Sequence, residues 1–507
     1  MLAVSWVNLS GCKGGCRRGE ETAMSGWVDY FQSREFAYLF LYWAEWAIRL
    51  VMLLVVPRRR SPNTALAWLT LIFFLPWVGL VLYLLIGTNR LPRRRVERYR
   101  QLLEEFNRRL GQRPHGAAVT NPELPAEAMT AVRLAERLGQ LPILGGNEVE
   151  LLTDTNEVID RLIADIERAE HHVHMLFYIF HDDETSQRVA QALLQAAQRG
   201  VSCRVLADAV GSRAMLRRLA PKLVAGGVQV QAALGVGLFR RTVARIDVRN
   251  HRKIVVIDGR VAYTGSQNII NADYGRRGLA WHDMTARVRG PAVLALQAVF
   301  LGDWYFETEE ILDDPAFFPK VDVCGSVPVQ VLPSGPTYPV ENYHRMVIAA
   351  LHTARHQVII TTPYFVPDQS FLQAVQIAVL RGVDVILIVP EKCDKILVGA
   401  VAWSYFGELL ELGCQVYLYR PGLLHAKTMT IDNSFAFLGT GNFDIRSFSL
   451  NFEVNLLLYG DRVTAELRRR QLDYLAYSRS LTYEEWSSRP EIVKTLQGIA
   501  RLMSPLL

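Results

Sequence analysis

The sequence predicts an α/β protein of two pseudo-repeated α/β/α halves that share one active-site cleft, preceded by an N-terminal transmembrane helical region. Three observations predict it. The pattern HxKxxxxD occurs twice, as His251, Lys253 and Asp258 and as His425, Lys427 and Asp432, each time followed by Gly-Ser/Thr-x-Asn. The stretch RAEHHVHMLFYIF is echoed by TARHQVIITTPYF, and ALLQAAQRGVSCRVLAD by AVQIAVLRGVDVILIVP. Two apolar runs lie between residues 36 and 86.

Residues 1–35 read as an extension without the apolar core of a secretory signal, and Met24 is the expected start. Cys12 and Cys16, in CKGGC, are too few for a zinc site. Residues 36–100 read as a membrane anchor. Phe36–Val56 is one candidate crossing, with Glu45 and Arg49 four apart on one helix face. Thr64–Ile86 is a second, free of charge over 23 residues, roughly 34 Å as one helix. Arg58–Arg60 lie between the runs, and a larger arginine cluster from Arg90 to Arg100 follows them. The positive-inside rule then places the catalytic halves in the cytoplasm, although the intervening arginines oppose a simple hairpin. A re-entrant or tilted pair is the other arrangement. Residues 101–140 read as a helical connector.

The first half is set at 141–322 and the second at 323–507, with the Gly/Pro punctuation of Cys324–Pro339 between them. Each half begins strand, loop, amphipathic helix, Arg-Gly stop and strand, the signature of α/β sheets with parallel strands. Tyr178 and Tyr364 follow the first strand of each half. They either line the cleft or pack at a strand end. His171, His172 and His174 lack partner ligands and are not read as a metal site. The cysteines at 203, 324, 393 and 414 are dispersed, as reduced thiols in a cytoplasmic core would be.

Each HxKxxxxD copy reads as a hairpin turning at Asp258-Gly259 or Asp432-Asn433. Alternation puts His251 with Lys253, and His425 with Lys427, on one strand face. A two-residue turn would set Ser266 opposite His251 and Thr440 opposite His425, with Asn268 and Asn442 on the same faces. These groups suit phosphoryl transfer. Histidine attacks phosphorus or moves a proton near neutral pH, and lysines and small polar donors hold phosphate oxygens. Asp258 and Asp432 sit at the turns and read as structural supports rather than proton carriers.

These residues resemble the phospholipase D superfamily, whose defining motif is HxKxxxxD in two halves. HHVHMLFYIFHDDETSQRVAQALLQAAQRGVSCRVLADAVGS, RNHRKIVVIDGR, TPYFVPD, LHAKTM, RSFSLNFEVN and RLMSPLL, with the apolar block SPNTALAWLTLIFFLPWVGLVLYLLIGTNR, are similar to its bacterial cardiolipin synthase branch from about Trp27 to Leu507. The resemblance implies two phospholipase D-like domains and a ping-pong transfer. One histidine, His251 in our reading, attacks the phosphodiester of phosphatidylglycerol and releases glycerol. The other, His425, serves as acid and then base for a second phosphatidylglycerol, giving cardiolipin. It also implies no metal or organic cofactor, and a bacterial inner-membrane, multi-pass location. A downstream carboxylate holds each histidine in the family: Glu453 matches in the second half, and Asp283, with a shorter side chain and different spacing, is the counterpart in the first.

Charge separates the competing functions. Residues 1–100 hold 14 Lys/Arg against 6 Asp/Glu while the whole chain is +6, so the remainder is slightly acidic at −2. The basic excess near the apolar runs suits an anionic membrane. A nuclease would carry it on the catalytic part, so no nucleic-acid partner is expected. A hydrolytic phospholipase D, using water as acceptor, would carry the same residues.

Overall fold

The computed structural model describes residues 34–59, 62–87, 93–112, 119–235, 247–274, 279–338, 340–502 and 504. Met24, Cys12 and Cys16 lie outside them. The chain divides into two compact units, 1–88 and 89–507.

In the first unit a helix runs from Arg34 to Val55, and its segment Ala37–Val55 is long and apolar enough to cross a membrane. Glu45 and Arg49 do pair along it, at 3.1 Å, and Arg49 also donates from Nε to the Phe73 carbonyl. The charge-free run Thr64–Ile86 corrects the expectation of a second crossing. It forms two short helices, Pro62–Phe74 and Pro76–Ile86, of 13 and 11 residues, each about 20 Å long or less against the ~30 Å of a bilayer core. The cause is Pro76. Its ring crowds Leu75 out of the helical region, to φ −132° and ψ 72°, and Pro76 then starts a new helix. The two pieces fold back on each other, Gly79 against Ile72 and Trp68 edge-on to Tyr83 at 5.3 Å. A side chain at Gly79 would meet the Ile72 backbone at 2.8 Å. Among the described residues one helix can cross a membrane, so a multi-pass anchor is not supported.

The second unit is organised by one 15-stranded sheet. The first half supplies β1 (Leu144–Leu152), β2 (His172–Phe177), β3 (Ser202–Asp208), β4 (Gln229–Ala233), β5 (Ile254–Ile257), β6 (Val261–Gly265) and β8 (Thr285–Arg289), with a short β7 (Trp281–His282) outside the sheet. The second half supplies β9 (Val327–Ser334), β10 (Gln357–Thr361), β12 (Asp384–Pro390), β13 (Gln415–Tyr419), β15 (Thr428–Ile431), β16 (Phe435–Gly439), β18 (Glu453–Tyr459) and β19 (Ser478–Leu481). The short β11 (Phe365–Val366), β14 (Leu423–Leu424) and β17 (Phe443–Asp444) also stand outside the sheet. From its outer edge the first half runs β4-β3-β2-β5-β6-β8-β1, and the second runs β13-β12-β10-β15-β16-β18-β9. The orders correspond strand for strand, β1 pairs antiparallel with β9 at the centre, and β19 is an extra edge strand. The two halves are therefore one continuous sheet.

The sheet is mixed rather than parallel throughout. β2, β3 and β4 are parallel, as are β10, β12 and β13, whereas the catalytic hairpins β5–β6 and β15–β16 join antiparallel. Hydrophobic strands buried on both faces are what helices on each side of such a sheet require. The helix Ala292–Thr308 is buried from Ala292 to Phe306 and packs in a core that both halves line, with Val256 and Val288 from one and Leu438 and Leu456 from the other.

The hairpin turns are one residue longer than expected. Ile257 pairs with Val261 and Ile431 with Phe435, leaving three-residue turns. Continuing the register sets Arg252, not His251, across from Ser266. Asp258 and Asp432 open these turns in the left-handed region, at φ 53° and 47°, which short polar side chains tolerate. Each carboxylate then accepts three backbone N–H groups. Asp258 takes those of Glu170, His171 and His172 at 2.8–2.9 Å, and Asp432 those of Arg355, His356 and Gln357 at the same distances. Each motif aspartate thus ties its own hairpin to the start of the neighbouring strand.

Arg252 is wholly buried between the halves. It pairs with Asp303 at 2.5 Å and donates to the carbonyls of Glu453 and Ser334 at 3.0 and 2.9 Å. Arg252→Ala would strand the Asp303 charge in the interior. A loss of about 3–5 kcal/mol is expected on the scale of broken buried pairs, to be read as a lowered midpoint of thermal or urea unfolding.

Candidate active site

Backbone pairing between halves builds the site. Just before the first motif, Asn250 bridges to Phe452, with His251 N donating to Phe452 O at 2.9 Å. Just before the second, β14 runs parallel to β7, and His425 N donates to His282 O at 2.8 Å. Glu453 follows Phe452, and Asp283 follows His282. Each carboxylate is therefore carried to the histidine of the other half.

The side chains close these crossed pairs. Glu453 Oε2 lies 3.0 Å from His251 Nδ1, and Asp283 Oδ1 lies 2.6 Å from His425 Nδ1. A reading by halves would pair Asp283 with His251 and Glu453 with His425; the structure exchanges them. Thr440 O also lies 3.1 Å from His251 Nδ1. Ser266 and Thr440, expected as phosphate donors, direct their hydroxyls to the carboxylates instead, Ser266 to Asp283 and Thr440 to Glu453. Ser447, which sequence reading missed, donates to the other Glu453 oxygen at 3.0 Å.

Lys253 and Lys427 donate from Nζ to the carbonyls of His251 and His425, at 2.9 and 2.5 Å. That contact leaves each ammonium two further protons. Asn268 accepts from Ile179 N at 3.1 Å and so fixes the loop after β2. Asn442 donates to Asp444 at 3.1 Å, and its buried carbonyl oxygen has no protein partner. A cavity of about 290 Å³ opens on His251. Tyr178 and Arg249 line it from the first half, and Tyr364, Lys395, Asn442 and Arg446 from the second. Tyr178 and Tyr364 are thus both cleft residues, and the Tyr178 ring lies 4.8 Å from that of His251. Trp281 plays the equivalent part for His425, edge-on at 4.4 Å.

A family model described as "Cardiolipin synthase, PLD-like domain" matches residues 162–304 and 347–472. The chain belongs to the cardiolipin synthase family. A second model, "Phospholipase_D-nuclease N-terminal", matches residues 46–87. Among curated proteins of the family, "Cardiolipin synthase A" of Yersinia pestis is 38% identical over 92% of this chain and 98% of its own length. "Cardiolipin synthase A" of Pectobacterium carotovorum subsp. carotovorum (strain PC1) is 37% identical with the same coverage. A crystal structure of phosphatidylserine synthase from Haemophilus influenzae Rd KW20 shares the fold, with a TM-score of 0.55 at 16% identity over 74% of this chain and all of that one.

Electrostatics set the resting state of this cardiolipin synthase-family site. Burial drives His251 down to about 4, against the pull of Glu453, and His425 down to about 3, where Lys427 adds to the effect. Burial alone would raise Asp283, but His425 and Lys427 hold it down to about 2. Glu453 is likewise lowered, by His251 and Lys253. Each pair at neutral pH is therefore a neutral imidazole against a carboxylate. Nδ1–H points at the carboxylate, which leaves the Nε2 lone pair free to attack or to take a proton. Both histidines feel both lysines, as side chains gathered at one site must.

Burial also lowers Lys253 to about 8, opposed by Glu453 and Asp283. A lysine with a depressed pKa is charged below that value and neutral above it. kcat/KM on a soluble substrate is accordingly expected to fall as pH rises through about 8. Burial pushes Lys427 down as well, so the limb belongs to both lysines, and Lys253→Arg together with Lys427→Arg should shift it upward, because guanidinium stays protonated.

Proposed function

We propose that the protein transfers a phosphatidyl group between two phosphatidylglycerol molecules, forming cardiolipin and glycerol through a phosphatidyl-histidine. The observation that carries this reading is the pair of carboxylate-held, neutral imidazoles with two lysines between the halves. It is supported by membership of the cardiolipin synthase family.

His251 is the nucleophile in this reading, because it borders the open cavity; its side chain is 11% exposed and that of His425 4%. The incoming phosphodiester anion favours protonation of the other imidazole, His425. His251 Nε2 attacks phosphorus, and the glycerol oxygen leaves with the proton from His425. The neutral His425 next takes the proton of the second phosphatidylglycerol hydroxyl. That oxygen displaces His251 from phosphorus. Splitting one displacement into two lowers each barrier, and Lys253 and Lys427 offset the charge on the equatorial oxygens. Glu453 and Asp283 orient the rings throughout. The catalytic unit acts in the cytoplasm at an anionic inner membrane in this reading.

The test is mass spectrometry of products from purified protein and phosphatidylglycerol in mixed micelles without added metal. Cardiolipin with free glycerol is expected. Phosphatidic acid with glycerol would instead make the protein a hydrolytic phospholipase D, and no turnover would send the search to other phosphodiesters, nucleic acid included.

A further inference from the structure

We propose that the outer face of the C-terminal helix Glu491–Arg501, together with the start of the helix Ile396–Glu411, is a docking surface for an anionic lipid bilayer. The inference rests on the lipid substrate read above.

The C-terminal helix is amphipathic the wrong way round for a protein surface. Ile492, Leu496, Ile499 and Leu502 are 65%, 58%, 57% and 77% exposed. Their spacing puts them on one helix face. Lys494, Gln497 and Arg501 face the protein instead, while Glu491 and Thr495 are exposed. Arg501 pairs with Glu408 at 3.2 Å and lies over the Tyr405 ring at 4.1 Å. Gln497 accepts from Arg489 at 2.8 Å, and Lys494 donates to the Ser487 carbonyl at 3.0 Å. These contacts fix the helix's rotation, so the apolar stripe cannot turn inward without breaking them. Ile396, 77% exposed, and Leu397, 42% exposed, open the neighbouring helix. An exposed apolar stripe of this kind marks an interaction site.

What lies beside it selects the occupant. A cavity of about 240 Å³ is lined by Ile396, Trp403 and Phe406 of the helix Ile396–Glu411, by Gln497 of the C-terminal helix, and by Phe365 and Val389 among others. It shares Val398 with the catalytic cavity, which Lys395 also lines, so the start of the helix Ile396–Glu411 borders the site. The catalytic cavity is lined by Arg249, Lys395 and Arg446 beside Asp444, with Arg446 also paired to Asp247. Apolar side chains beside a cation-lined opening complement a bilayer, whose anionic head groups overlie hydrocarbon. A second copy of the chain seated on the ridge would cover the opening that a lipid must enter.

The test places p-benzoylphenylalanine at Leu496, and separately at Ile499, in the full chain, purified and reconstituted in phosphatidylglycerol vesicles. Leu53, 54% exposed on the apolar N-terminal helix, is the reference site. After irradiation, intact mass at 496 and 499 is expected to show phospholipid adducts at no less than half the yield at 53. Adducts to a second copy, or none while position 53 reacts, would overturn the proposal. As a second measurement, Leu496→Glu with Ile499→Glu should lower the rate on vesicles at least tenfold and leave the rate on monomeric short-chain phosphatidylglycerol within twofold. Equal loss on both substrates, or loss on neither, would also overturn it. If the unsubstituted protein turned over neither substrate, the functional reading would fail, and the adducts alone would decide the docking surface.

Discussion

His251→Ala is expected to lower turnover by about four orders of magnitude or more, and His425→Ala to do the same. In the proposed mechanism each imidazole carries a step that no neighbour takes over. Around His251 the cavity offers tyrosines, asparagines and cations, and its one carboxylate, Asp444, is held by Asn442 and by the Ser447 backbone N–H. Beside His425 stand Trp281, Lys427 and Asp283, and Asp283, held at about 2, is too weak a base to replace it. The two act as a unit, so the double variant should be no slower than either single one. Turnover of phosphatidylglycerol is the measurement, with unfolding midpoints recorded alongside because both rings are buried. The histidines also differ in what they trap. Under the assignment above, His425→Ala should still accumulate phosphatidyl-histidine at 251 with an activated leaving group, since acid assistance is then dispensable. Near-normal rates in both single variants would refute the mechanism; label trapped at 425 would reverse the roles.

Glu453→Gln and Asp283→Asn should each lower kcat by about 10²- to 10⁴-fold, the upper figure being the scale seen when an orienting carboxylate is replaced by its amide and the histidine tautomer is lost. An amide presents N–H as readily as C=O to Nδ1. The ring can then place its proton on Nε2, where the lone pair is needed. Thr440 and Ser447 also lose a carboxylate acceptor in the first variant, and Ser266 in the second. The decisive readout is which ring responds. Glu453 contacts His251, 202 residues away, and Asp283 contacts His425, 142 residues away. In nitrogen NMR of labelled histidine, Glu453→Gln should therefore shift the His251 ring and leave His425 nearly unmoved, with the converse for Asp283→Asn. Responses confined within each half would contradict the crossed arrangement.

Local signals carried much of this site. His251, Lys253, His425 and Lys427 stand in a repeated pattern, and the repeat itself called for two matching layers of strands and helices. Asp258 and Asp432 were legible as turn residues because Asp before a tight turn has a local backbone role; their three-N–H clamp on a distant strand start was not. Ser266 and Thr440 were legible as polar neighbours, but the direction of their hydroxyls depended on carboxylates from elsewhere in the chain. The hairpin register failed by one residue because a two-residue and a three-residue turn share the same composition. Tyr178 and Tyr364 stood at matching places in the repeat, and only the folded cavity chose cleft over packing. Trp281 was not singled out, Arg249, Arg446 and Ser447 stood in the stretches RNHRKIVVIDGR and RSFSLNFEVN without an assigned role, and all four entered the site through the packing of the halves.

The sequence by itself determined the residue types of the chemistry, the duplication that presents them twice, and an apolar N-terminal region, because each is encoded in short-range pattern and composition. The tertiary structure decided which carboxylate serves which histidine, that the halves form one sheet, and that Thr64–Ile86 folds back at Pro76. The first two depend on pairings between segments more than a hundred residues apart, which chain-local periodicity cannot specify. The third depends on one proline whose effect on Leu75 and on the packing of Gly79 against Ile72 outweighs a hydropathy that averages over both helices.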